Sequence, residues 1–86
     1  MGYYTRYEIN FKEGEEFIDD KFSDYFKEVT DYYFNMDESC KWYDWDKDML
    51  KISKKYPRVL FEVKGEGEEP GDIWGAYIKD GEIQRW

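Results

Sequence analysis

The chain contains no histidine, and that absence removes the commonest general base, the Ser-His and Cys-His nucleophile systems, and the usual transition-metal ligand. Most enzyme classes go with it. The single cysteine, Cys40, can form no internal disulfide. Lys41 beside it favours a reactive thiolate, but Asp37, Glu38 and Asp44 oppose it, so we read a structural thiol. Long apolar runs are also missing. Nothing approaches the roughly 18 residues of a membrane-spanning helix. Met1 to Phe11 lacks the apolar core of a signal peptide, and Arg6 stands where a myristoylation signal requires Ser or Thr. The expectation is an intracellular protein without membrane attachment.

Basic residues are scarce relative to acidic ones, thirteen against twenty-one, for a net charge of -8. Such a charge repels nucleic acid and anionic membranes and favours basic partners. Aromatic residues, by contrast, make up 22% of the chain. At 86 residues the chain reads as one domain, 1–86, and a domain of this size buries only about two thirds of its unfolded surface. Each Trp, Tyr or Phe buries roughly 150–250 Å², so a few replace many aliphatics. Disordered chains are poor in aromatics, and the 40% of charged residues is therefore no argument for disorder.

Periodicity divides the chain. Tyr3, Thr5, Tyr7, Ile9 and Phe11 alternate with Tyr4, Arg6, Glu8 and Asn10, as in a strand with one buried face. After Gly14 the pattern changes. Ile18, Phe22, Tyr25, Val29, Tyr32 and Tyr33 recur at helical spacing and predict a helix from about Glu15 to Phe34, with an acidic first turn of Glu15, Glu16, Asp19 and Asp20. Trp42, Trp45, Met49, Ile52 and Tyr56 predict a second helix, stopped by Pro57 at about Lys55. Its acids come early and its lysines late, as the helix dipole prefers. Whether Cys40 to Tyr43 opens this helix or forms a short strand stays open. Val59, Phe61 and Val63 then alternate with Arg58, Leu60, Glu62 and Lys64, and Asp80-Gly81 joins Ile73–Lys79 to Glu82–Trp86 as a type I′ hairpin. The predicted fold is α+β, in the order β-α-α-β-β-β. A mainly antiparallel sheet of about four strands carries both helices on one face, ferredoxin-like or related.

Two acidic regions are candidates for function. In Gly65-Glu66-Gly67-Glu68-Glu69-Pro70-Gly71-Asp72 the glycines invite a phosphate, but four carboxylates repel one and no phosphate-loop spacing is present. Glu66, Glu68, Glu69 and Asp72 could instead offer hard oxygen ligands to Ca²⁺ or Mg²⁺, although the spacing is not that of a calcium loop. Paired carboxylates for glycoside hydrolysis are a third reading, in a chain with little room for a sugar cleft. The plain reading is a solvated strand connection. The second region runs from Lys12 to Asp31 and has eight acids and three lysines. Asp20, Asp24, Glu28 and Asp31 fall opposite the apolar stripe of the predicted helix, about 5–6 Å apart. Such a row resembles the charges of a nucleic-acid backbone and suits a basic groove, while its plain reading is a solvated face that keeps the protein soluble. Tyr25, Trp45 and Phe61 are expected in the core. Tyr4, Tyr43 and Trp86 fall outside the stripes, where such residues anchor contacts or pack on a sheet edge.

The segments Lys41-Trp42-Tyr43-Asp44, Ser53-Lys54-Lys55-Tyr56-Pro57, Leu60-Phe61, Gly65 to Glu69, Gly71 to Trp74 and Tyr77 to Gly81 resemble a family of small, largely uncharacterised proteins of phages, prophages and bacteria. The resemblance spans Lys41 to Gln84. "SKKYP" followed by a strand and an acidic glycine turn is also similar to the ferredoxin-like domain of some phage proteins. These resemblances imply a compact α+β fold, a phage or mobile-element origin, the cytoplasm of a bacterial host, and no catalytic residues. Small acidic phage proteins include inhibitors of host defence, such as anti-CRISPR proteins, and that is an analogy of class rather than of motif. The leading expectation is thus a non-enzymatic binding protein without cofactor or metal. It would occupy the basic surface of a nucleic-acid-processing or CRISPR effector through Asp20, Asp24, Glu28, Asp31, Glu66, Glu68, Glu69 and Asp72. The alternative is a small-ligand or divalent-metal module built on loop 65–72.

Overall fold

The computed structural model describes residues 4–34, 42–69 and 71–86. The alternation that begins at Thr5 becomes strand β1, Arg6–Glu13. Its Tyr7, Ile9 and Phe11 lie opposite Gly65, Val63 and Phe61 of β2, Leu60–Glu66, in antiparallel register. On the other side of β2, Phe61, Val63 and Gly65 meet Ile78, Ala76 and Trp74 of β3, Ile73–Lys79. Strand β4, Glu82–Arg85, completes the antiparallel sheet in the order β1-β2-β3-β4. This β-α-α-β-β-β meander differs from the β-α-β-β-α-β order of the ferredoxin-like motif. Both hairpin-turn residues adopt the left-handed conformation that a type I′ turn needs, Asp80 at φ 48° and Gly81 at φ 78°. The Gly81 N–H also donates to Ser53 Oγ at 2.8 Å, which fastens the hairpin to the second helix.

The first helix is shorter than its periodicity predicts. Instead of one helix from Glu15 to Phe34, the chain makes a 3₁₀ turn, Glu15–Phe17, an extended step at Ile18, and helix α1, Phe22–Thr30. Side chains that compete for backbone groups explain both ends. Asp19 accepts the Lys21 N–H at 3.1 Å, in an Asx turn that interrupts helical bonding before α1. At the far end the Thr30 hydroxyl donates to the Phe26 carbonyl at 2.8 Å and accepts the Tyr32 N–H at 3.0 Å. Asp31 then turns left-handed at φ 68° and closes the helix.

Helix α2, Trp45–Lys55, stops where Pro57 predicts, with Met49 and Ile52 fully buried. Trp42 precedes this helix rather than opening it. Its buried ring donates from Nε1 to Asp48 Oδ2 at 2.8 Å, and its carbonyl accepts the Tyr7 hydroxyl at 2.9 Å. Of the short strand considered near 40–43, residues 40 and 41 lie outside the described residues, and Trp42 and Tyr43 are not in strand.

Both helices pack on one face of the sheet, around an aromatic centre. Phe22, the first residue of α1, has its ring 5.5 Å from Phe11, 4.9 Å from Phe34, 5.3 Å from Tyr56 and 6.1 Å from both Phe26 and Phe61. A second aromatic row crosses the sheet from β4 to β1 beside the start of α2. Arg85 lies over Trp45, Trp45 stacks on Trp74 at 4.6 Å, and Trp74 meets Tyr7 edge-on. Phe61 is fully buried, while Tyr25 and Trp45 are half-buried against the core. Tyr4, Tyr43 and Trp86 are exposed, as their positions outside the stripes predict.

Gly14 and Gly71 share a left-handed backbone, at φ 79° and 82°, but not an environment. A Cβ on Gly14 would stand 2.1 Å from the Arg58 carbonyl oxygen, whereas one on Gly71 would meet nothing within 4 Å. Gly71→Ala is therefore expected to cost only the left-handed penalty, about 1–2 kcal/mol. Gly14→Ala should cost at least about 2 kcal/mol more, because backbone must move as well. Urea denaturation of the two variants measures the difference.

Candidate functional site

The acidic row rests on what α1 buries. Phe22, Phe26 and Thr30 point inward at every fourth residue, flanked by half-buried Tyr25 and Val29, which leaves Asp24 and Glu28 on the solvent side. These two are one turn apart on the helix, about 6 Å along its axis. Asp20 belongs to the turn before α1 and Asp31 to its C-cap, so the row is a helical pair with one acid beyond each end. All four are exposed, and none forms an ion pair with a described residue. Lys27, between them in sequence, places its ammonium over the ring of Tyr33 at 4.8 Å.

Asp19 in the same run has a structural role that the sequence did not reveal. Its Oδ1 accepts the Tyr56 hydroxyl at 3.0 Å as well as the Lys21 amide, joining the turn before α1 to the end of α2. Burial of the phenol, and then the bond and negative charge of Asp19, push Tyr56 up to about 12.

The glycine-acid loop connects β2 to β3, and its first residues are still strand: Gly65 and Glu66 belong to β2. Gly65 lies beneath the Trp74 ring, where a Cβ would come within 2.1 Å of it. The loop amides serve the loop itself. Gly67 N–H bonds the Asp72 carbonyl at 2.8 Å, Asp72 N–H the Glu69 carbonyl at 3.1 Å, and Ile73 N–H the Gly71 carbonyl at 2.9 Å. Glu68 accepts the Tyr4 N–H at 2.9 Å, so this carboxylate ties the start of the described chain to the loop. Glu66, Glu68 and Glu69 are exposed and Asp72 is half-buried. Among the described residues no three acidic or thiol side chains converge as a metal site would require.

One carboxylate behaves unlike the rest. Glu62 faces away from the helices yet is only 5% exposed, with Lys12 and Lys64 at 4.0 and 3.9 Å and the Asn10 amide at 3.4 Å. Alternation places it on the outer side of β2, and only the long side chains around it, which periodicity does not register, account for its burial. The described ion pairs involve this residue and Asp46, which meets Arg85 at 3.0 Å, and none of the row on α1.

The site and fold together define a small acidic α+β protein in which residues 12–31, eight acids against three lysines, carry -5 of the net charge of -8. Comparison with protein-family models, curated proteins and solved structures gives no significant match.

The Tyr56–Asp19 contact has a consequence at high pH. A phenol raised from 10.0 to about 12 contributes stability that is complete below pH 10 and is lost as pH rises toward 12. Tyr56→Phe should therefore flatten the fall in unfolding free energy across that interval, read by urea denaturation at successive pH values. A slope equal to that of the unsubstituted protein would show that the contact carries no linkage.

Proposed function

We propose that this protein is a non-enzymatic acidic binding protein that acts by occupying a basic surface of another protein. The supporting observation is that Asp20, Asp24, Glu28 and Asp31 are exposed and without cationic partners among the described residues. Charges held this way contribute little to folding and repel one another, but they steer a basic partner toward the surface and fix its orientation. Glu66, Glu68 and Glu69, with Asp72, form a second acidic patch at the β2–β3 loop, and Glu68 is partly committed to the Tyr4 amide.

The finer reading is a phage-type inhibitor of a nucleic-acid-binding or defence protein of a bacterial host, acting in its cytoplasm in the manner of anti-CRISPR proteins. Its support is the resemblance carried by residues 41–84 and the one-turn spacing of Asp24 and Glu28. A protein that binds nucleic acid offers the required basic groove, and a carboxylate row is an electrostatic substitute for the phosphates it normally holds. The direct interaction is with protein; a chain of net charge -8 does not seek nucleic acid.

The test is capture of partners from bacterial lysate on the immobilised protein. A basic, nucleic-acid-binding protein should be retained at about 50 mM salt, released by about 500 mM, and displaced by excess DNA. The combined variant Asp20→Asn, Asp24→Asn, Glu28→Gln should bind it roughly tenfold more weakly with an unchanged melting temperature. Capture indifferent to salt, to DNA and to these substitutions would refute the proposal.

A further inference from the structure

Asp80-Gly81 is the one aspartyl-glycine pair in the sequence, which holds no asparaginyl-glycine pair. Such a pair is open to a reaction that needs neither enzyme nor cofactor. The glycine nitrogen attacks the aspartyl Cγ, an N–Cγ bond forms, and the carboxyl OH and the amide proton leave as water. Glycine favours the attack because no side chain shields its nitrogen. Water then opens the five-membered succinimide. Addition at Cγ restores aspartate, whereas addition at the backbone carbonyl breaks the original C–N bond and leaves isoaspartate, with the chain routed through the side-chain carbon.

The fold leaves one of the two reacting groups open and holds the other. Asp80 is exposed, so its carboxyl meets solvent. The nitrogen is engaged. Its proton is donated to Ser53 Oγ at 2.8 Å, and Ser53, fully buried on α2, gives its own hydroxyl hydrogen to the Leu50 carbonyl at 2.8 Å. The Ser53 oxygen is thereby oriented as an acceptor. Lys54 covers the same glycine, since a Cβ on Gly81 would stand 2.7 Å from Lys54 Cε and 3.2 Å from its Cγ. Ring closure removes the amide proton, and that proton is the one Ser53 holds. The reaction therefore requires the turn to part from α2.

We infer that Asp80 is this protein's site of spontaneous isoaspartate formation and that Ser53 governs its rate by holding the Gly81 amide proton in the folded state. The product has one more backbone carbon than a two-residue type I′ turn accommodates, so isomerisation also releases the hairpin from α2. Incubation of the folded protein in near-neutral buffer made with heavy-oxygen water, followed by trypsin in ordinary water, tests it. Each passage through the succinimide adds one heavy oxygen to the peptide 80–85, bounded by Lys79 and Arg85, and mass spectrometry reads the gain. Ser53→Ala, checked for folding by circular dichroism, should label about three- to tenfold faster than the unsubstituted protein, the change that loss of one net hydrogen bond gives to a local opening. Gly71→Ala, which weakens the fold at a different turn, should label at the unsubstituted rate. In Asp80→Asn the same ring closes with loss of ammonia, and its deamidation should rise by the same factor when Ser53→Ala is added. Equal rates with and without Ser53→Ala, labelling of Gly71→Ala as fast as that of Ser53→Ala, or labelling of the folded protein as fast as in denaturing urea overturns the inference.

Discussion

The packing of Phe22 against five other rings is the contact on which the structure turns. It joins β1 through Phe11, β2 through Phe61, α1 through Phe26, the segment after α1 through Phe34, and the end of α2 through Tyr56. Edge-to-face and offset pairs of this kind add about 0.5–1.5 kcal/mol each beyond the area they bury. In a chain of 86 residues, where burial per residue is low, that concentration replaces the larger aliphatic core of a bigger domain. The row Arg85, Trp45, Trp74 and Tyr7 extends the same device toward the glycine-acid loop, and Gly65 is small because Trp74 lies upon it.

A core built from rings frees the charged residues from structural duty. Among the described residues the ion pairs are confined to Glu62 with its two lysines and to Asp46 with Arg85, while Asp19 and Glu68 serve as hydrogen-bond acceptors. Asp20, Asp24, Glu28 and Asp31 form no ion pair with a described residue. The result is a molecule with two unlike surfaces. The side of α1 is acidic and polar, and the outer sheet face is charge-balanced with an exposed aromatic stripe.

The parts of the fold that follow from local chemistry were legible in the sequence. Asp80-Gly81 could make little but a type I′ turn, Pro57 ended α2, and the alternation in β1 and β2 fixed which side chains turn inward. Legibility failed where a side chain competes with the backbone. Asp19 and Thr30 look like ordinary members of a helical pattern, yet their oxygens take the amides that mark the ends of α1 and divide a twenty-residue periodicity into a 3₁₀ turn and nine helical residues. Trp42 was in phase with α2, but its bonds to Asp48 and Tyr7 hold it outside. The acidic row was visible as composition and survives as an exposed surface, although only Asp24 and Glu28 stand on the helix. The burial of Glu62 depended on neighbours from three strands, which no single-strand pattern contains.

The central claim is that aromatic packing holds this fold and that Asp20, Asp24, Glu28 and Asp31 stand exposed without ion-pair partners among the described residues. The dependence of unfolding free energy on sodium chloride tests it most directly. If the carboxylates chiefly repel one another, raising salt from about 20 to about 500 mM at neutral pH screens them, and the midpoint of thermal unfolding rises. A midpoint that falls over the same range would mean that ion pairs sustain the structure, and would contradict the account.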